Sequence, residues 1–205
     1  GFDRQQHVFD SEQPEMKSVV AEIRQTLDAY SERYAVGETF IGGPAVAASY
    51  SGPGKLHAAF NFAYIGHPWQ PDKFLKSALD WESLLPDGAW PNQVLNNHDQ
   101  PRSATMYRAP ENDERLKVAA ALLLTLRGTP FLYYGEEIGM RDIAVRRDEI
   151  CDPVGKRYWP FNKGRDGCRS PMQWSSADQA GFTSGNPWLK VHPNFVQRNV
   201  EAQKA

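Results

Sequence analysis

The sequence predicts an α/β fold with a parallel sheet, of the (β/α)-barrel kind, and three observations carry that reading. Short apolar runs with strand character alternate with helical patterns between residues 14 and 134. Three of those runs deliver acidic groups at their carboxyl ends: Tyr34-Ala35-Val36-Gly37 runs into Glu38, Gln93-Val94-Leu95 leads to His98 and Asp99, and Thr129–Tyr134 is followed by Glu136 and Glu137. Carboxylates at strand tips are how such barrels build an active face. The third observation is length: 205 residues suffice for one sizeable core but fall short of the ~250 typical of a complete eight-unit barrel.

Residues 1–11 show no period and read as loop, an opening that gives the chain a truncated look. Pro14 opens a helix, where its missing N–H costs nothing. Met16, Val19, Val20, Ile23, Leu27 and Tyr30 keep three-and-four spacing and predict one buried stripe, with Lys17, Glu22, Arg24 and Asp28 outside it. A strand over 35–38 ends at Glu38. Residues 41–54, rich in Gly, Pro, Ala and Ser, read as a long loop. Residues 58–64 read as the next strand. Pro71 opens a helix with Phe74, Leu75, Ala78 and Leu79 on one side. A strand follows near 92–97. Residues 111–127 form the strongest helix, with Glu111, Asp113 and Glu114 at its start and Arg127 at its end, both suited to the helix dipole. Gly128 stops it, and 129–134 give a fourth strand. After Gly139 the periodicity dissolves, and residues 140–194 hold many Pro, Gly, Trp and Arg residues. An irregular stretch of that length is usually functional, and residues 195–205 start another helix.

Composition is that of an ordinary globular chain, 40% hydrophobic and 23% charged. A net charge of −2 gives no electrostatic case for nucleic acid or an anionic membrane surface. No stretch approaches the roughly 18 apolar residues that span a bilayer. The two cysteines, Cys151 and Cys168, make no disulfide framework and read as free thiols. The five histidines lack metal-ligand spacing.

The segment Asn96–Arg102, NNHDQPR, organises the chain. It places His98 and Asp99 where a strand gives way to a loop, and Pro101 biases Gln100 toward extended geometry. By spacing alone a capped turn is the commoner use of such residues. Glu38 changes that balance, because two carboxylates at strand tips suit glycoside hydrolysis. One carboxylic acid protonates the leaving oxygen, and negative charge stabilises an oxocarbenium-like transition state.

Six stretches carry a family resemblance: AVGET at 35–39, LHAAFNF at 56–62, VLNNHDQPR at 94–102, GTPFLYYGEEIGM at 128–140, DPVGKRYWP at 152–160 and CRSPMQW at 168–174. Through them the chain resembles the α-glucosidase and oligo-1,6-glucosidase branch of the α-amylase family, glycoside hydrolase family 13. The resemblance implies the C-terminal half of a (β/α)8 TIM barrel, about strands 5 to 8, followed by a long irregular region. The barrel part would occupy residues 1–139, and residues 140–205 would be a loop region leading toward a C-terminal β-domain outside the chain. It implies that Glu38 is the general acid/base and Asp99 the transition-state-stabilising carboxylate. His98 and Arg169 would bind the sugar at the cleaved bond, with Arg102 a weaker candidate for substrate contact. The family's nucleophile sits in a GFR-x-D pattern that this sequence lacks; the opening GFD at 1–3 is not followed by Arg-x-Asp. The implied partner is an α-glucoside, with no cofactor or metal in this chain, and the loop that usually carries calcium in this branch would lie outside it.

The resemblance implies a retaining α-glucosidase as the parent protein, with the isolated chain inactive. A transglycosylase or sucrose isomerase would use the same carboxylates. A non-catalytic relative, such as a transporter heavy-chain ectodomain, is disfavoured by the intact set of Glu38, His98, Asp99 and Arg169. Other residues have plainer readings. Glu136 and Glu137 follow a strand as Glu38 does, but the resemblance gives them a structural role. Trp159, Trp174 and Trp188 read as packing rather than sugar platforms, since burial dominates aromatic energetics. Arg141, Arg146 and Arg147 read as a solvated loop face, and His57 and His67 as structural.

Overall fold

A computed structural model of the protein describes residue 9 and residues 12–39, 42–109 and 112–204. Apart from Phe9, an exposed bend, the loop expected over 1–11 lies outside the described residues, as do Ile41 and Glu111. The chain forms two compact units. One holds the described residues up to Val94 together with Leu126–Pro130; the other holds Leu95–Thr125 and the chain from Phe131 onward.

The first unit opens with α1 (Met16–Asp28). Its predicted stripe exists as a pattern but is not buried: Met16, Val19, Ile23 and Tyr30 are exposed, and only Val20 is fully covered. The line that meets the unit is Val20 and Arg24, one turn apart. The Arg24 guanidinium donates to the carbonyls of Gly52 and Lys55 at 3.3 and 2.8 Å, so a residue assigned to the outside makes the inward contact. Strand β1 (Val36–Gly37) pairs in parallel with β2 (Ala58–Ala59), Val36 opposite Ala58 and Gly37 opposite Ala59. Between them the expected loop contains α2 (Gly43–Ser49), with Pro44 at its first turn. The run Pro-Ala-Val-Ala-Ala is a better helix former than its loop-like composition suggests.

Strand β2 stops at Ala59 instead of continuing to 64 because Asn61 diverts the backbone. Its side-chain oxygen accepts from the Ala63 N–H and caps a 3-10 turn over Phe62–Tyr64. Helix α3 (Pro71–Leu84) buries Phe74 and Trp81, seven residues apart on one face, while Leu75 and Leu79 are exposed. Of the expected face Phe74 is buried and Leu75 and Leu79 are not; Trp81 joins Phe74 instead, since an aromatic removes far more apolar surface from water. Trp81 packs with Ala47, Ala48 and Ala59, whose small side chains let helix and strand approach it closely. His57 accepts from the Ala35 N–H, and His67 bonds Ser77, so both histidines are structural as expected.

Strand β3 (Asn92–Val94) is buried along its length and pairs with β4 (Thr129–Phe131). In the second unit α4 (Ser103–Met106) starts two residues after Pro101, and α5 (Glu114–Thr125) buries Ala119 and Leu123. Arg127 lies beyond the end of α5 and pairs with Glu82 at 2.6 Å, rather than complementing the dipole from inside the helix. Past β4 only short elements occur: α6 (Pro153–Tyr158), several 3-10 turns and α7 (Val200–Gln203). The irregular region is nonetheless well anchored. Ile138, Met140 and Met172 form a core against Val200, and the Val200 and Glu201 N–H groups donate to Gln173 and Trp174.

Gly128 makes the β3–β4 pairing possible. It sits at φ +128°, and a Cβ there would lie 2.8 Å from the Pro91 carbonyl oxygen, the same oxygen that accepts from Thr129 N–H at 3.0 Å. Gly128→Ala therefore combines an unfavourable backbone with a backbone clash. It is expected to destabilise the protein by roughly 2 kcal/mol or more. A urea titration checks this: the midpoint should fall while the slope is unchanged.

Candidate active site

His98 and Asp99 are set by the turn that ends the apolar run through Leu95. The Asn97 side chain accepts from the Asp99 N–H at 2.9 Å, fixing the turn locally. Behind it, Asn96 is buried and donates to Ser103 Oγ at 2.7 Å and to Glu136 Oε1 at 3.2 Å, while Ser103 Oγ donates to the same Glu136 oxygen at 2.7 Å. Glu136 also accepts from the Tyr133 N–H. Burial raises its pKa, partly offset by these donors. It ties the NNHDQPR segment to the turn after β4, the structural role expected of it.

The two arginines closest to Asp99 come from the irregular region. Arg169 donates through Nε to the His98 carbonyl at 2.7 Å and through one NH2 group to Asp99 Oδ1 at 2.6 Å. Arg165 reaches the same oxygen at 3.1 Å. His98 Nε2 stands 3.5 Å from it. Asp99 is one-third exposed and His98 about half, so the cluster is open on one side. The fold thus gathers His98, Asp99 and Arg169, as expected. Arg165 was not anticipated. It lies just before the 3-10 turn Asp166–Arg169, and no local pattern in the sequence points to it.

Arg165 is itself anchored. Its guanidinium forks onto Asp152, Nε to Oδ2 at 2.8 Å and NH2 to Oδ1 at 3.2 Å. Asp152 caps α6 by accepting from Val154 N–H and also accepts from the Arg165 backbone N–H. Its side chain is 1% exposed. The Arg165 hydrogen bonds hold its carboxyl down at a pKa of about 2. Buried Asp166 accepts from the Cys151 and Asp152 N–H groups and staples the two segments together. Cys168, buried, points its thiol at the carbonyls of His98 and Arg165, and burial pushes its pKa up to about 11. Both cysteines are free.

A pocket of about 590 Å³ adjoins the cluster, lined in part by His98, Arg169, Glu137, Trp174, Phe182 and Trp188. Trp174 and Trp188 are exposed rather than packed inside, which corrects their reading as core aromatics. Arg102 lies elsewhere. It is 1% exposed, it donates to the Tyr134 carbonyl at 2.5 Å, and its guanidinium carbon lies 5.1 and 4.6 Å from the Tyr133 and Tyr134 ring centroids. A side chain enclosed in that way supports the strand-end turn and has no open face for a sugar. Arg146 and Arg147 are exposed as expected, but Arg141 is half-buried and bonds the Ala104 carbonyl. Glu38 belongs to the first unit, exposed, directly after β1. Among the described residues no group of three or more His, Cys, Asp or Glu is arranged to hold a metal ion, and no helix is long and apolar enough to cross a membrane.

The profile of the alpha-amylase catalytic domain matches residues 2–205. The chain belongs to the α-amylase family, in its α-glucosidase branch. A probable α-glucosidase of Rhizobium meliloti is 32% identical over 209 residues, covering 99% of this chain and 38% of that protein. An oligo-1,6-glucosidase of Parageobacillus thermoglucosidasius is 33% identical over 212 residues, covering 87% of this chain and 38% of its own length. The α-glucosyl transfer enzyme XgtA superposes with a TM-score of 0.90 at 34% identity, over 97% of this chain and 37% of that one. Isomaltulose synthase of Erwinia rhapontici superposes at 0.81 with 25% identity, over 94% of this chain and 40% of that one. The chain therefore spans well under half the length of these family members, and its fold is part of a barrel-type α-amylase catalytic domain.

The Asp152–Arg165 pair has a signature in stability. The Asp152 pKa is depressed from 3.8 to about 2, so its contribution is fully present above about pH 4 and is lost as pH falls through 2. Asp152→Asn should lower stability at pH 7 by on the order of 2 kcal/mol. Urea unfolding at several pH values checks the sign: the gap between the two proteins should hold from pH 7 to 5 and shrink below 4.

Proposed function

We propose that this chain supplies the acid/base and sugar-gripping side of a retaining α-glucosidase that releases glucose from the ends of short α-glucosides. The observation that carries the reading is the strand-end Asp99, held by Arg169 beside His98, in a chain of the α-glucosidase branch with Glu38 at the tip of β1. The four strands correspond in this reading to strands 5 to 8 of the barrel.

In the first step Glu38, as a carboxylic acid, gives its proton to the glycosidic oxygen as the bond from that oxygen to the sugar's anomeric carbon breaks. A nucleophilic carboxylate ~5–5.5 Å from Glu38 takes up the anomeric carbon. The family's pattern for that residue does not occur in these 205 residues. In the second step the Glu38 carboxylate removes a proton from water, whose oxygen attacks the same carbon and displaces the enzyme's carboxylate. Asp99 and His98 hold the distorted sugar, and Arg169 keeps Asp99 in place. No cofactor is required.

A second reading has its own support, since the two structures described above are named for glucosyl transfer and isomaltulose synthesis. There a sugar hydroxyl replaces water in the second step. Product analysis in concentrated sucrose or maltose separates the two outcomes.

In the full-length protein, Glu38→Gln should lower maltose turnover about 10²–10⁴-fold, the usual contribution of a positioned acid/base. Turnover within tenfold of wild type would refute the assignment. The purified 205-residue chain should hydrolyse no maltose, which a coupled glucose assay checks directly.

A further inference from the structure

Arg165 is aimed at Asp99 by a partner that takes no other part in the site. A forked guanidinium–carboxylate pair has essentially one geometry, and burial of Asp152 keeps water from loosening it. Gly164 belongs to the same construction. At φ +75°, a Cβ there would lie 2.9 Å from Asp152 Oδ2 and 2.9 Å from the Gly155 nitrogen. The backbone is thus closed tightly around the Asp152 carboxylate, and the third guanidinium nitrogen, NH1, is left pointing at Asp99.

Both arginine bonds to Asp99 fall on Oδ1. Arg169 is fixed independently through the His98 carbonyl. The carboxylate therefore cannot turn without breaking two charge-assisted bonds at once, and Oδ2 remains the oxygen free to accept from a substrate hydroxyl. Two guanidiniums converging on one oxygen repel each other. Asp152 offsets that repulsion by neutralising Arg165 from behind.

We propose that Arg165 is a positioning residue for Asp99, held by Asp152 as its anchor, so that the pair sets which carboxylate oxygen meets the sugar. The proposal rests on the α-glucosidase reading. Asp152 then acts on turnover only through Arg165, which distinguishes it from a residue that merely stabilises the loop.

The test is a double-mutant cycle in the full-length protein, with kcat and KM measured on a chromogenic α-glucoside and melting temperature recorded for every variant. Arg165→Met should lower kcat at least tenfold while KM changes less than threefold, because the interaction strengthens as the sugar distorts. Asp152→Asn should lower kcat by a smaller factor, and the double variant should be no slower than Arg165→Met alone. Multiplying losses, or an Arg165→Met kcat within threefold of wild type, would overturn the proposal. Should Arg165→Met fail to fold, Arg165→Lys serves instead. Its single ammonium cannot span both carboxylates, so a tenfold loss of kcat supports the proposal and a wild-type kcat refutes it. A wild-type protein with no turnover of any α-glucoside removes the underlying reading, and the proposal with it, before any variant is compared.

Discussion

One carboxylate oxygen, Asp99 Oδ1, takes hydrogen bonds from two guanidiniums, and much of the second unit serves to hold those groups where they are. Arg169 is pinned by the His98 carbonyl and Arg165 by buried Asp152. Asp166 ties the segment carrying Asp152 to the segment carrying Arg165 and Arg169. Charge-assisted bonds of this kind are strong where water is excluded and weak where it is not. The anchoring carboxylate of Asp152 is buried, while Asp99 stays partly open.

Such an arrangement explains how a region with almost no regular secondary structure can hold side chains in fixed positions. Between residues 140 and 194 the chain has only short helices and turns. Its order comes from side chains that cap and bridge: Asp152 on α6 and on Arg165, and Asp166 on two amides. The Asp152–Arg165 and Asp166 bonds join segments 13 to 15 residues apart, so the loop is held without being periodic.

The same fact decides what could be read from the sequence. Glu38 and the His98–Asp99 pair were legible because a short apolar run ending in a polar residue marks a strand tip, and that signal is local. Arg169 came from a resemblance and not from any pattern of its own. Arg165 lies 66 residues from Asp99 in the chain, and periodicity carries no information over that span. Periodicity also says that a helix is two-sided without saying which side has a neighbour. On α1 the Val20–Arg24 line makes the contact, and on α3 Phe74 and Trp81 exclude the leucines. Asn61 ended a predicted strand through a single side-chain bond, a competition that composition alone does not reveal.

We propose that Asp99, with its orientation fixed by two arginines, and Glu38 act on one sugar ring. A crystal structure of the full-length protein carrying Glu38→Gln, with an uncleaved α-glucoside bound, tests it most directly. Asp99 Oδ2 should lie within hydrogen-bond distance of a hydroxyl on the ring whose glycosidic oxygen faces the residue-38 side chain, with Oδ1 still held by Arg165 and Arg169. A ligand whose scissile bond lies at residue 38 while Asp99 touches a different sugar, or none, would contradict it.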